Sequence, residues 1–107
     1  MPWLMHEERV LASAELADGR AARRRGLLGR DGLEGVLVLP VRSVHTFGMR
    51  FPIDVAFCDG DGVVLRVVCL RPNRVTRICF AARSAVEAPQ GAFREWGIVP
   101  GDRLEVR

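Results

Sequence analysis

Pro52-Ile53-Asp54-Val55-Ala56-Phe57-Cys58-Asp59-Gly60-Asp61-Gly62-Val63-Val64-Leu65-Arg66-Val67-Val68-Cys69-Leu70 is the stretch whose reading decides the fold. Two runs rich in β-branched and aromatic residues flank four turn formers, and Asp and Gly tolerate the positive φ angles that tight turns require, so the stretch predicts a β-hairpin. From Val63 to Leu70 both parities are mostly apolar, which predicts a central strand covered on both faces. The hairpin is therefore expected in the middle of a closed sheet. Asp54 interrupts the apolar run, and an ionised carboxylate is costly to bury without hydrogen-bond or charge partners. Arg50 and His45, close by in sequence, are its expected partners.

Working outward, Arg9 to Leu16 carries a weak alternation that suits a strand. Asp18 is placed to cap a short helix from about Gly19 to Leu28, with Gly29 as its stop and Arg20, Arg23, Arg24 and Arg25 on or near its solvent side. Val36 to Leu39, ended by Pro40, and Ser43 to Phe47, broken at Gly48, read as paired strands. Beyond the hairpin, Pro72 turns the chain into a strand from Val75 to Phe80. A further extended piece from Ser84 to Glu87 closes at Pro89. Gln90 to Trp96 reads as a one- or two-turn helix stopped by Gly97, and Pro100-Gly101 leads into a last strand, Arg103 to Val106. The expected fold is α+β and mostly β, a compact barrel-like antiparallel or mixed sheet with two short helices. Residues 1–107 form one domain, since no internal repeat or low-complexity linker divides them.

The chain carries thirteen acidic residues against sixteen basic ones, for a formal net charge of +3, and every basic residue is Arg. Arg without Lys, beside abundant Ala, Gly and Val, is the mark of GC-rich codons. The carboxylates are scattered among the arginines along the chain, so nucleic-acid binding is not expected. No stretch approaches the roughly 20 apolar residues that cross a bilayer, so no membrane span is expected. Glu7, Glu8 and Arg9 stand where an exported chain would carry an apolar signal core, and a cytoplasmic location is expected. Cys58, Cys69 and Cys79 show no CxxC spacing and read as three core thiols in a reducing compartment; no metal site and no cofactor is expected.

Three motifs in order, spread over about eighty residues, carry a resemblance. Val44-His45-Thr46-Phe47-Gly48-Met49-Arg50-Phe51-Pro52-Ile53-Asp54-Val55-Ala56-Phe57 resembles the signature of domain-of-unknown-function family 192, also called uncharacterised protein family 0127. Arg25-Gly26-Leu27-Leu28-Gly29-Arg30 is similar to its helix-ending segment. Glu87-Ala88-Pro89-Gln90-Gly91, followed by Gly97-Ile98 and Gly101-Asp102, is similar to its C-terminal pattern. Many members carry a longer insert before the proline, whereas only Arg50 and Phe51 separate Met49 from Pro52 here. The resemblance implies a mostly β, barrel-like domain with no assigned activity, and it brings no catalytic residues. The shorter form resembles members found beside pilus-assembly and secretion genes in actinobacteria, which implies a protein partner.

His45, Thr46, Arg50, Asp54 and Glu87 form the candidate polar pocket, because all five lie in or beside the segments that carry the resemblance; the structural alternative is that Arg50 or another Arg neutralises Asp54 and Glu87 as buried pairs. Strand ends and adjacent loops of a barrel form natural clefts, and a few oriented polar groups there can fix a small polar ligand. The rival reading is an enzyme with Asp54 or His45 as acid–base group and Arg50 orienting an anionic substrate. Ser13, Ser43 and Ser84 lack a nucleophile-elbow setting, and Gly60-Asp61-Gly62 leads into a strand and carries two repelling carboxylates, so neither serine catalysis nor nucleotide binding is expected. The leading expectation is a non-catalytic binding or accessory module.

Overall fold

A computed structural model describes residues 2–17 and 32–107. Among the described residues, seven strands follow one another as β1 (Trp3–His6), β2 (Arg9–Leu16), β3 (Val36–Leu39), β4 (Ile53–Cys58), β5 (Val64–Leu70), β6 (Ser84–Pro89) and β7 (Glu105–Val106), with one short helix, α1 (Ala92–Trp96), between β6 and β7. They hydrogen-bond into one sheet in the order β5-β4-β6-β3-β2-β1-β7. All neighbouring pairs are antiparallel except β2 and β3, which run parallel. The helix foreseen between Gly19 and Leu28 lies outside the described residues.

The two ends of this order meet. Val63 and Arg103 form an antiparallel bridge, Val64 N–H donates to the Asp102 carbonyl at 2.8 Å, Gly101 N–H to the Val64 carbonyl at 2.8 Å, and Leu104 N–H to the Gly62 carbonyl at 2.8 Å. The sheet closes into a small barrel at the hairpin corner. That corner is held by Asp59, whose Oδ1 accepts from Asp61 N–H at 2.9 Å and Val63 N–H at 3.0 Å. Gly62 takes φ +82°, and a Cβ there would collide with the Leu104 carbonyl, so both its conformation and the closure demand glycine.

The hairpin forms as expected, but its central strand is β4 rather than β5. All six residues of β4 are buried, with β5 on one edge and β6 on the other. β5 stands at the start of the order and is mostly half-buried, with Cys69 exposed. Its apolar character in both parities reflects partial cover on each side. Alternation along β4 divides the core into two layers: Ile53, Val55 and Phe57 join Leu37, Leu39, Val44 and Phe51 in one, whereas Ala56 and Cys58 join Leu4, Val36, Phe93 and Ile98 in the other.

Three further expectations are corrected. Ser43 to Phe47 does not pair with Val36 to Leu39, whose neighbours are β2 and β6; it runs antiparallel to the Val75 to Phe80 segment instead, and the two share one regular bridge, His45 with Val75, rather than forming strands. Beside backbone bonds such as Thr76 N–H to the Val44 carbonyl at 2.9 Å, a side chain takes one ladder position: Thr76 Oγ1 accepts from Val44 N–H at 3.0 Å. The N-terminal Trp3–His6 strand was not foreseen; it buries Leu4 and Met5 and holds β7 at the sheet's end. The last strand is shorter than Arg103 to Val106, with Arg103 contributing only the closing bridge. The helix before it stops as expected, Gly97 adopting φ 72° with its N–H on the Arg94 carbonyl and Ile98 N–H on the Phe93 carbonyl.

Phe57 has no exposed surface, whereas Val67 is half-buried. Phe57→Ala should therefore cost about 3 to 5 kcal/mol, and Val67→Ala only about 1 kcal/mol. Urea melts of the two variants check this; equal losses would contradict the assignment of β4 as the central strand.

Candidate functional site

The alternation that builds the two core layers also parts the candidate polar residues. Asp54 shares the parity of Ala56 and Cys58 on β4 and faces the layer of Phe93 and Ile98. Glu87, wholly buried on β6, is the register partner of Val55 and Leu37 and faces the other layer. The two carboxylates therefore lie on opposite faces of the sheet.

Asp54 is 7% exposed, and its Oδ2 accepts from Gly91 N–H at 3.0 Å. Neither Arg50 nor His45 is its partner, which corrects the sequence expectation. A backbone donor at the turn between β6 and α1 does the work, made available because Gly91 holds φ 84°. Beside Asp54 on β5 stands Cys69, with Gln90 Nε2 at 3.6 Å from its Sγ. These residues line a cleft of about 560 Å³ together with Phe93, Arg94 and Ile98. Desolvation of the thiol, and then the Asp54 carboxylate next to it, push Cys69 above its ordinary value. The thiol is thus held in its protonated form at neutral pH, the opposite of an activated nucleophile.

Thr46 is fully buried and ties two loops together. Its hydroxyl donates to the Arg71 carbonyl at 2.6 Å and accepts from Arg74 N–H at 3.0 Å. Its backbone N–H donates to the Arg74 carbonyl at 2.8 Å, while its carbonyl accepts from Asn73 and Met49. The side chain is consumed by structure. His45, half-buried, stacks on Phe47 with ring centroids 5.2 Å apart. It lines a different cleft, of about 440 Å³, between Leu39–His45 and the Ala82–Arg83 turn. Arg50 is exposed and lines neither cleft. His45 and Thr46 are chain neighbours on the ladder, Asp54 sits in the second cleft, and Glu87 lies in the core, so the five do not share one opening.

Sequence reasoning missed Arg42 and Arg83 on the rim of the His45 cleft, and Cys69 and Gln90 beside Asp54. It also placed all three cysteines in the core, whereas only Cys58 is buried there; Cys79 is partly covered and Cys69 exposed. A signal for the arginines was present: no carboxylate occurs between Glu34 and Asp54, or between Asp61 and Glu87. Among the described residues, no group of three or more His, Cys, Asp or Glu is placed to hold a metal ion, and no helix is long and apolar enough to cross a membrane.

The profile of the family described as Uncharacterized ACR matches residues 4–106. The chain belongs to domain-of-unknown-function family 192. A UPF0127 protein of Pyrococcus abyssi is 32% identical over 97 residues, covering 85% of this chain and 83% of the relative. Another, from Pyrococcus furiosus, is 35% identical over 75 residues, 65% of each chain. Among solved structures, a Sinorhizobium meliloti protein described as a candidate transcription regulator aligns with TM-score 0.77 at 23% identity, covering 98% of this chain and 91% of that one. A protein of unknown function from Novosphingobium aromaticivorans aligns with TM-score 0.78 at 19% identity, covering 97% and 82%. These two share the fold with the family 192 domain described here.

Two outcomes follow from the site's chemistry. Thr46→Val keeps the shape but strips the hydroxyl from the Arg71 carbonyl and the Arg74 N–H, and should cost about 1 to 3 kcal/mol in chemical unfolding. A variant as stable as the parent would show that the loops are held by other contacts. Cys58, buried and then influenced by Asp59, has its pKa pushed up from 9.0 to about 12. The unfolded thiol ionises near 9 while the folded one keeps its proton, so stability is intact below pH 9 and falls above it by up to about 1.4 kcal/mol per pH unit. Urea midpoints at pH 8, 9 and 10 should decline, and the decline should flatten in Cys58→Ala.

Proposed function

We propose that this domain is a non-catalytic binding module whose partner is an acidic protein surface. The reading is carried by one observation: the two facing segments, residues 40–52 and 71–83, expose Phe47, Val75, Ile78 and Phe80 and carry no carboxylate. Phe80 is 78% exposed and Val75 60%. Arg42, Arg71, Arg74, Arg77 and Arg83 lie in the same two segments, all exposed and none paired with a carboxylate among the described residues. Aromatic and arginine side chains dominate the energetics of protein interfaces, and a clustered apolar patch on a small domain marks an interaction surface. The complementary partner supplies acidic side chains around an apolar centre.

An acid–base reading of His45 with Asp54 lacks this support, because the two line different clefts and the Asp54 carboxylate is engaged by Gly91. The description attached to the Sinorhizobium meliloti protein brings DNA into view as the competing ligand of an arginine-rich face.

The test compares the parent with a Phe47→Ser, Ile78→Ser, Phe80→Ser variant whose fold is verified by circular dichroism. Quantitative affinity capture from native lysate should retain a reproducible acidic protein on the parent and lose it at least tenfold on the variant. Equal retention by both would overturn the reading. Retention of the parent on a random-sequence DNA duplex at 0.15 M salt, with no protein captured, would overturn it in favour of nucleic acid.

A further inference from the structure

The His45 cleft holds a feature that neither the family nor the binding reading assigns. Arg42 Nε donates to the Ala82 carbonyl at 3.2 Å, and Arg83 Nη1 reaches the same oxygen at 3.3 Å. One acceptor thus gathers two guanidinium groups that would otherwise repel. The backbone beneath them is fixed: Ala82 is fully buried, its N–H donates to the Cys79 carbonyl at 3.0 Å, Arg83 N–H donates to the Cys58 carbonyl on β4 at 2.8 Å, and Cys79 N–H donates to the Arg42 carbonyl at 2.8 Å. Arg83 is therefore mounted on a turn tied to the central strand, and Arg42 on a facing segment bonded to Cys79.

Around this pair the cleft of about 440 Å³ has an apolar floor that includes Leu39, Val44 and Ala82, with Ser43 and His45 at the rim beside the arginines. None of its lining residues is acidic among the described residues, and residues 39–45 and 82–83 contain no Asp or Glu. Most of the ten N–H donors of two guanidinium groups remain open after the shared carbonyl is served. Two adjacent planar cations with open donors match a doubly charged tetrahedral oxyanion, which each can grip through two oxygens. A carboxylate brings only one charge to two cations. The volume exceeds that of bare phosphate, and the apolar floor accommodates a small organic group attached to it.

We propose that the cleft between Leu39–His45 and the Ala82–Arg83 turn binds a phosphomonoester, its phosphate between Arg42 and Arg83 and its organic group on the apolar floor. The site lies on the carboxylate-free face described above and rests on the binding reading only in being a recognition site without chemistry.

Phenyl phosphate is the probe, titrated into the ¹⁵N-labelled full chain and followed by amide and arginine Nε–H shifts. Saturable shifts at Arg42, Val44, Ala82 and Arg83 are expected, with affinity at least threefold above inorganic phosphate, which lacks the organic group, and at least threefold above benzoate, which lacks the second charge. Arg83→Gln should weaken binding about tenfold or more, since a hydrogen bond from a charged donor contributes at that scale. Among the described residues its side chain bonds only to the preceding residue's carbonyl, and its backbone bond to Cys58 survives the substitution, so it keeps the test valid if Arg42→Gln does not fold. Non-saturating shifts spread over all surface arginines, equal affinity for benzoate, or binding of phosphatidylglycerol vesicles without any cleft shift by phenyl phosphate would each overturn the site. The Phe47→Ser, Ile78→Ser, Phe80→Ser variant should still bind phenyl phosphate, so loss of the protein partner and loss of the phosphate site are separately visible.

Discussion

β4 is bonded along both edges and buried on both faces, so each of its residues must commit to one of two core layers. That constraint organises the molecule. Asp54 can stay in such a strand only because a backbone N–H is brought to it, and the donor comes from Gly91 at the start of α1. The helix is thereby tied over one layer, where Phe93 and Ile98 complete the packing. One strand further on, Glu87 faces the other layer, because β6 pairs with β4 in a register that sets it opposite Val55. The two carboxylates grouped in one candidate pocket are parted by strand parity alone.

Charge is parted as well, in a way that the net value of +3 conceals. Among the described residues, the Arg–carboxylate pairs gather where the chain ends meet, Arg107 with Glu8 and Glu105 at 3.6 and 3.0 Å, and His6 lies 3.9 Å from Asp102 nearby. Exposed pairs of this kind add little to stability. Their importance lies in where they leave the remaining arginines. Arg42, Arg74 and Arg83 place guanidinium donors on backbone carbonyls, and among the described residues none of Arg42, Arg71, Arg74, Arg77 and Arg83 pairs with a carboxylate, so these five give that face a positive field. Such a field steers anionic partners toward it and raises their rate of encounter.

The hairpin was legible because its signals agreed: β-branched runs, an Asp-Gly corner and a length suited to strands. The barrel closure was legible only as a fold class, since Gly62 meeting the Leu104 carbonyl joins residues far apart in the chain. Trp3–His6 was hidden because four residues without clean alternation carry too little pattern. Asp54's donor was hidden for a different reason: sequence reasoning matches carboxylates to cations, while here a glycine amide serves. The arginine pair on Ala82 depends on a turn geometry that no spacing rule encodes. The carboxylate-free stretches were visible, but counting charges over the whole chain averaged them away.

The ladder between residues 42–46 and 74–79 explains why the apolar face can be tolerated. A regular exposed edge with Phe47, Val75, Ile78 and Phe80 on it would offer unpaired backbone groups together with apolar side chains, the combination that recruits other strands into aggregates. Thr76 occupies the Val44 N–H, and Thr46 occupies both the Arg71 carbonyl and the Arg74 N–H. With those backbone groups already satisfied by hydroxyls, strand addition has little to gain there. The surrounding arginines add mutual repulsion between copies of the same chain. A partner meeting this face encounters side chains and positive charge rather than an open strand, so selectivity has to come from apolar shape and from complementary negative charge.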